Sequence, residues 1–171
     1  MTSAPPSFPL GQVNVEGEFA TLIFERRLPH PIDEVWQAIT DPGELSKWYF
    51  SHGKIEGKLG GKVEFSLGPA HMTGSVLVWD PPHVFEHEWI VDRVDRSGIP
   101  IGEFGVIRWE LDTAGNDTTL RLTHRKIPGT MARDFAIGVH VRLDRLETFL
   151  NGTPLPDWRK HLDDVRLRYS K

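Results

Sequence analysis

Three histidines, His87, His124 and His140, are the residues of this 171-residue chain best suited to chemistry near neutral pH. Imidazole titrates in that range, and partial burial can tune it for general acid or base work. His87 stands in the run Val84 to Val91, where His83, Phe85, His87, Trp89 and Val91 share one parity and Glu86 and Glu88 the other. In a strand those sets point to opposite faces, which turns the aromatic set and His87 inward. His124 shares a parity with Leu120 and Leu122, opposite Thr119, Arg121, Thr123 and Arg125. If His87, His124 and His140 converged, three imidazoles could hold zinc with an open position. The spacing argues against it: no HxH or HExxH occurs, and His83-Val84-Phe85-Glu86-His87 spells the inverted zinc motif in a strand, where that motif needs a helix. No metal and no other cofactor is expected. Acid–base catalysis by His87 or His124 lacks an identifiable carboxylate partner, because Glu64, Glu86, Glu88 and Glu110 read as outward.

Other chemistry is limited by residue type. The absence of cysteine excludes disulfides and thiolate nucleophiles, and no Gly-x-Ser-x-Gly elbow is present. Gly57-Lys58-Leu59-Gly60-Gly61-Lys62 is basic and glycine-rich, but it lacks the GKS/T ending of a phosphate loop and lies between strands. Of Arg26 and Arg27, parity turns Arg26 inward beside Phe24, where a guanidinium needs a carboxylate, a backbone carbonyl or an anionic ligand. A structural ion pair is the favoured reading.

The elements that must position these side chains are legible from periodicity. Glu18 to Leu28 reads as a first strand. Pro31 opens a helix with Asp33 and Glu34 at its positive end and Ile32, Val35, Trp36 and Ile39 on its apolar face; Asp41 and Pro42 then cap and open a second helix carrying Leu45 and Trp48. Further strands are expected at His52 to Glu56, Lys62 to Leu67, His71 to Trp79, Val84 to Val91, Phe104 to Leu111 and Thr118 to Lys126, the last three separated by a loop around Ser97-Gly98-Ile99-Pro100 and a turn at Thr113 to Asp117. Their short connections favour an antiparallel sheet. Met131 to Leu150 changes to helical period, with Phe135, Val139, Leu143, Leu146 and Leu150 on one stripe and Asp144, Arg145 and Glu147 away from it. Trp158, Leu162, Val165 and Tyr169 mark a short docking helix. Residues 1–17 read as a flexible arm, 18–152 as one α+β domain and 153–171 as a C-terminal extension.

Composition fits a globular protein, and a net charge of −4 gives no reason to expect nucleic acid or an anionic membrane as partner. The opening MTSAPPSFPLGQ has neither the basic start nor the apolar run of a signal peptide, and no stretch approaches the ~20 apolar residues of a membrane span. A soluble, cytoplasmic protein is expected.

The run Glu25-Arg26 through Pro31, Glu34-Val35-Trp36, Ala38 to Pro42, Leu45 and Trp48 resembles the N-terminal signature of heat-shock protein 90 ATPase activator-like domains. Gly60-Gly61, Gly74-Ser75-Val76, Pro81-Pro82, Trp89, Trp109-Glu110-Leu111, Thr119 to His124 and the terminal helix with Leu143, Leu146 and Leu150 follow in family order. The resemblance covers roughly residues 18 to 152. It implies the START-like (SRPBCC, Bet v-type) helix-grip fold, a curved antiparallel sheet around a long C-terminal helix with two short helices after the first strand. One departure bears on function: many relatives carry Gly-Trp where this chain has Gly138-Val139. Isopropyl in place of indole widens an interior cavity unless neighbours repack.

The reading that follows is a small-molecule binding protein with a cavity between sheet and long helix. Its expected lining is Phe24, Trp48, Phe65, Phe85, His87, Trp89, Trp109, Leu122, His124, Phe135 and Val139. Such walls suit a hydrophobic or aromatic, polyketide-like ligand. The resemblance also implies two alternatives: a stress-response module acting with a chaperone of the heat-shock protein 90 type, and a cyclase- or hydrolase-type enzyme using an inward histidine. A homodimer through the tail is a further expectation.

Overall fold

Among the residues that the computed structural model describes (9–49, 52–67, 70–92 and 103–170), the chain opens with two antiparallel strands, β1 (Gln12–Glu16) and β2 (Phe19–Leu28). Helix α1 (Ile32–Thr40) follows and buries Val35, Ala38 and Ile39 at helical spacing. Asp41 ends it and starts α2 (Pro42–Trp48): its backbone N–H donates to the Gln37 carbonyl, and its carboxylate accepts from the Glu44 N–H at 3.0 Å. The Trp48 indole N–H then donates to the Ala38 carbonyl at 2.9 Å and fastens α2 to α1.

Six strands come next: β3 (His52–Ile55), β4 (Lys62–Leu67), β5 (Ala70–Asp80), β6 (Val84–Asp92), β7 (Glu103–Ala114) and β8 (Asp117–Pro128). Every neighbouring pair is antiparallel, and the sheet runs β1-β2-β8-β7-β6-β5-β4-β3. Register shifts between Ala20 and Leu22 and between Val76 and Val78 add local bend and twist. After a 3-10 turn at Gly129–Met131, helix α3 (Ala132–Leu150) packs Ala136, Val139, Leu143 and Leu146 into the same core as the inward side chains of the strands. At ~1.5 Å per residue its 19 residues span about 28 Å, enough to cross the sheet. Helix α4 (Trp158–Arg168) docks on α3 by burying Val165 against Ile137 and Val141. This is the helix-grip fold.

The sequence reading needs two corrections here. Part of the expected arm, Gln12–Glu16, is an edge strand: Val13 pairs with Leu22 and Val15 with Ala20. All five of its side chains are exposed, so no buried alternation marks it. Residues 1–8 and the expected loop at Ser97 to Pro100 lie outside the described residues. Asp144 and Glu147, expected on the solvated side of the long helix, are each only 7 % exposed, because Arg26 reaches them from β2 and α4 covers that flank.

Candidate functional site

The inner face of the sheet is a belt of rings. β6 lies between β5 and β7, and its parity places Phe85, His87 and Trp89 inward, all 5 % exposed or less. Centroid distances run 5.9 Å from Tyr49 to Phe65, 5.9 Å from Phe65 to His87, 6.4 Å from His87 to Trp89, 5.9 Å from Trp89 to His124 and 5.5 Å from His124 to Phe135. The belt thus joins the end of α2 to β4, β6, β8 and α3. Trp48, Phe24, Trp109, Leu122 and Val139 are buried in the same core, with Phe135 packed against it. All the expected lining residues are therefore on this core, while His140 stands apart.

The two belt histidines are neutral at pH 7 for the same main reason. Burial pushes His87 down to about 4, against the opposing effects of its backbone hydrogen bond and Glu86. Burial, with added repulsion from His87 and Arg142, pushes His124 down to about 3. The His87 Nδ1–H donates to the Glu88 carbonyl at 2.8 Å, which leaves Nε2 as an acceptor. His124 differs: both of its ring nitrogens are buried, and among the described residues neither has a hydrogen-bond partner. Its ring fits because residue 105 is glycine, where a Cβ would come within 2.6 Å of Nε2. The Trp89 indole N–H is likewise buried without a partner. Buried polar groups are nearly always paired, so partnerless donors along one belt need an explanation.

Two further residues belong to this site, although the sequence reading passed over them. The Arg142 guanidinium lies 5.5 Å from the ring centre of Tyr49 and 5.7 Å from that of Trp158, and its Nε is buried without a hydrogen bond. Burial pushes the Tyr49 hydroxyl up to about 12, despite the opposing charge of Arg142, so it stays protonated. Arg142 sits one residue from the Leu143 stripe, a position that reads as solvated in the sequence alone.

A second polar cluster lies where α3 meets β2 and α4. Arg26 donates to Asp144 at 2.9 Å and lies 3.6 Å from Glu147, as its inward parity required. His161 meets Asp144 at 2.8 Å. His140 contacts Asp144 at 3.4 Å and shares a 3.0 Å hydrogen bond with the Tyr169 hydroxyl, which also accepts the Gly11 N–H at 2.9 Å. His140 thus joins this cluster and not the belt, and among the described residues no group of three His, Cys, Asp or Glu could hold a metal ion. On the sheet's outer face, Glu86 bonds Arg108 and Arg125 at 3.2 and 3.0 Å. Burial raises the Glu86 carboxyl, but the two arginines outweigh it and hold the group below its ordinary value. An open depression of about 480 Å³ is lined by charged side chains such as Glu25, Arg121 and Asp112 and by none of the belt residues.

The family described as Activator of Hsp90 ATPase homolog 1-like protein matches residues 29–151. The chain belongs to this family. The matched span holds α1 through α3, including His87, His124 and Arg142, whereas β1, β2 and α4, with Arg26 and Tyr169, lie outside it. No curated protein matches the chain. Among solved structures, CalU16 from Micromonospora echinospora is 22 % identical with a TM-score of 0.71, the alignment covering 94 % of each chain. DynU16, a protein of the dynemicin biosynthetic locus, is 22 % identical with a TM-score of 0.68 over 80 % of this chain and 49 % of its own. MLL2253 from Mesorhizobium loti is 21 % identical with a TM-score of 0.66 over 79 % of this chain and 99 % of its own. At such identities these likenesses establish the fold that this member of the activator-homolog family shares with them. No helix among the described residues is long and apolar enough to cross a membrane.

Proposed function

We propose that the protein binds a small hydrophobic ligand with an aromatic body between the inner face of the sheet and α3. The observation that carries this reading is His124, a neutral imidazole with both nitrogens buried and partnerless inside a belt of aromatic rings. Leaving such a group unsatisfied costs about 1–3 kcal/mol, which a bound molecule recovers by supplying the missing partners. Val139, where the family resemblance implies Trp in many relatives, puts a smaller side chain on the α3 wall; at 8 % it is the most exposed of the buried apolar side chains. Phe24, Trp48, Phe65, Phe85, Trp109 and Leu122 complete the apolar surroundings that such a ligand needs. Binding without catalysis is favoured, since His87 bonds a backbone carbonyl and, among the described residues, no carboxylate hydrogen-bonds either belt imidazole. Native mass spectrometry of protein purified from its own host tests this reading. A small molecule retained on the folded protein and released on unfolding is expected; a bare protein mass that no added aromatic compound shifts would contradict it.

One observation supports a second reading, a protein partner of the chaperone type that the family name suggests. Val13, Val15 and Phe19 are exposed at the β1 edge, at 38 %, 56 % and 55 %. Co-sedimentation with a purified heat-shock protein 90 type chaperone, lost on changing Val15 and Phe19 to Ser, would support it, and no co-sedimentation would dismiss it.

A further inference from the structure

The inner site also carries a charge that the protein leaves uncompensated. Other arginines buried to this degree or more have oxygen partners: Arg26 meets Asp144 and Glu147, Arg108 and Arg125 meet Glu86, and Arg145 donates to the Trp48 and Pro156 carbonyls at 2.9 and 3.4 Å. Arg142 is half-buried, yet among the described residues it makes no ion pair and no hydrogen bond, only ring-face contacts with Tyr49 and Trp158. Its Nε is fully buried without a partner, and a guanidinium partly withdrawn from water in this way favours an anion or further acceptors. The nearest polar groups do not provide one. Tyr49 stays protonated, His124 is neutral, and Arg145 adds a second positive charge whose guanidinium shares the Trp158 ring. The Trp89 indole N–H and one nitrogen of neutral His124 are donors without acceptors. Cation, unmatched donors and aromatic walls together define what is missing: a planar apolar body bearing an acidic oxygen.

Resting on the ligand-binding reading above, we propose that the molecule held here is an aromatic organic anion, its acidic group on Arg142 and its ring body along the belt formed by His87, Trp89 and His124. Arg142 supplies charge selection, and Trp89 and His124 supply hydrogen bonds to a carbonyl or hydroxyl on the same ligand. Neutral lipophiles enter the same space but leave Arg142 unmatched, so they bind more weakly.

Two fluorescent probes separate this proposal from the reading beneath it: 1-anilinonaphthalene-8-sulfonate and the neutral N-phenyl-1-naphthylamine, which share a ring body and differ in the sulfonate. Each is titrated into the full chain, the Arg142→Gln and Arg142→Lys variants, and a surface control, Arg166→Gln, whose only side-chain partner among the described residues is the exposed Asp163. The sulfonate probe should bind the unsubstituted protein at least ~10-fold more tightly than the neutral one. Arg142→Gln should remove that preference while leaving the neutral probe within ~2-fold, Arg142→Lys should keep part of it, and Arg166→Gln should change nothing. Equal affinities in the unsubstituted protein, or a preference that survives Arg142→Gln, would overturn the anion proposal and leave the apolar site standing. If neither probe binds, the ligand-binding reading itself fails. Should Arg142→Gln not fold, the Arg142→Lys variant and the two-probe comparison on the unsubstituted protein still decide the question.

Discussion

Two polar clusters are buried against α3, and they differ in who supplies the partners. Around Arg26 the protein does so: Asp144 and Glu147 face the guanidinium, His161 and His140 face Asp144, and Tyr169 ties His140 to the Gly11 backbone. Along the ring belt, among the described residues, it does not: His124, the Trp89 indole N–H and the Arg142 Nε are buried with neither a hydrogen bond nor an ion pair, whereas Glu147 Oε2, which also lacks a hydrogen bond, still faces the Arg26 guanidinium at 3.6 Å. Both clusters lie in low-dielectric surroundings, where an unmatched polar group is expensive. The first arrangement ties α4 and the start of β1 to the grip helix; the second has the unmatched polarity on which the proposed ligand site rests.

The largest way to break this contrast is Asp144→Ala, which strips Arg26 and His161 of their shared carboxylate. It should cost about 3 kcal/mol in urea unfolding at pH 7, because only Glu147, at 3.6 Å, then faces the buried Arg26 guanidinium. A loss below ~1 kcal/mol would mean the Arg26 cluster is solvated and the contrast is unreal.

Removing an orphan should do the reverse. His124→Phe deletes two unpaired nitrogens and should raise stability by about 1 kcal/mol at pH 7. The gain should grow with acidity. His124 is depressed in the folded protein to about 3 from its ordinary 6.5, so its contribution is complete above pH 6.5 and is lost as pH falls toward about 3. At pH 5 the variant should therefore lead by about 3 kcal/mol in urea unfolding. His87 and His140, each lowered to about 4, give the same acid-side loss and remain in the variant. Glu147 acts oppositely: burial raises it from 4.5 to about 7, so its contribution is present below pH 4.5 and is lost as pH rises through 7. A His124→Phe advantage that does not widen between pH 7 and 5 would show that the imidazole is already paired.

Smaller effects bound the comparison. Tyr169→Phe removes the hydroxyl that accepts from Gly11 and bonds His140, and should cost about 1–2 kcal/mol, visible as faster amide exchange at Gly11. Arg121→Gln breaks only an exposed pair with Glu25 on the outer face and should shift stability by less than ~0.5 kcal/mol. A Tyr169→Phe loss no larger than that of Arg121→Gln would place the α4 contacts with the surface pairs.

What the sequence allowed one to foresee follows from where the apolar pattern is strong. The α1–α2 pair, the Asp41 cap, the inward parity of His87 and His124, and the inward turn of Arg26 toward a carboxylate all rest on alternation or capping chemistry, and the structure has them. β1 was hidden because an exposed edge strand of the type QVNVE buries nothing. Asp144 and Glu147 looked like a solvated helix flank because their burial depends on Arg26 arriving from β2 and on α4 returning from the far end of the chain. Arg142 was passed over for a similar reason: an arginine one position off an apolar stripe reads as solvated until Tyr49 and Trp158 close over it. The ring belt, by contrast, was legible almost residue for residue; its partnerless nitrogens were not, since a missing partner has no sequence pattern.

The central claim is that the α3 wall at Val139 accepts a ligand, and Val139→Trp tests it most directly. Thermal unfolding is followed for this variant and the unsubstituted chain, with the neutral naphthylamine probe titrated into both. The account predicts that the new indole fills the space: the melting temperature holds or rises, and probe binding falls at least ~10-fold. A variant destabilised by about 1–3 kcal/mol, the cost of overpacking a filled core, together with no probe binding to the unsubstituted chain, would contradict it.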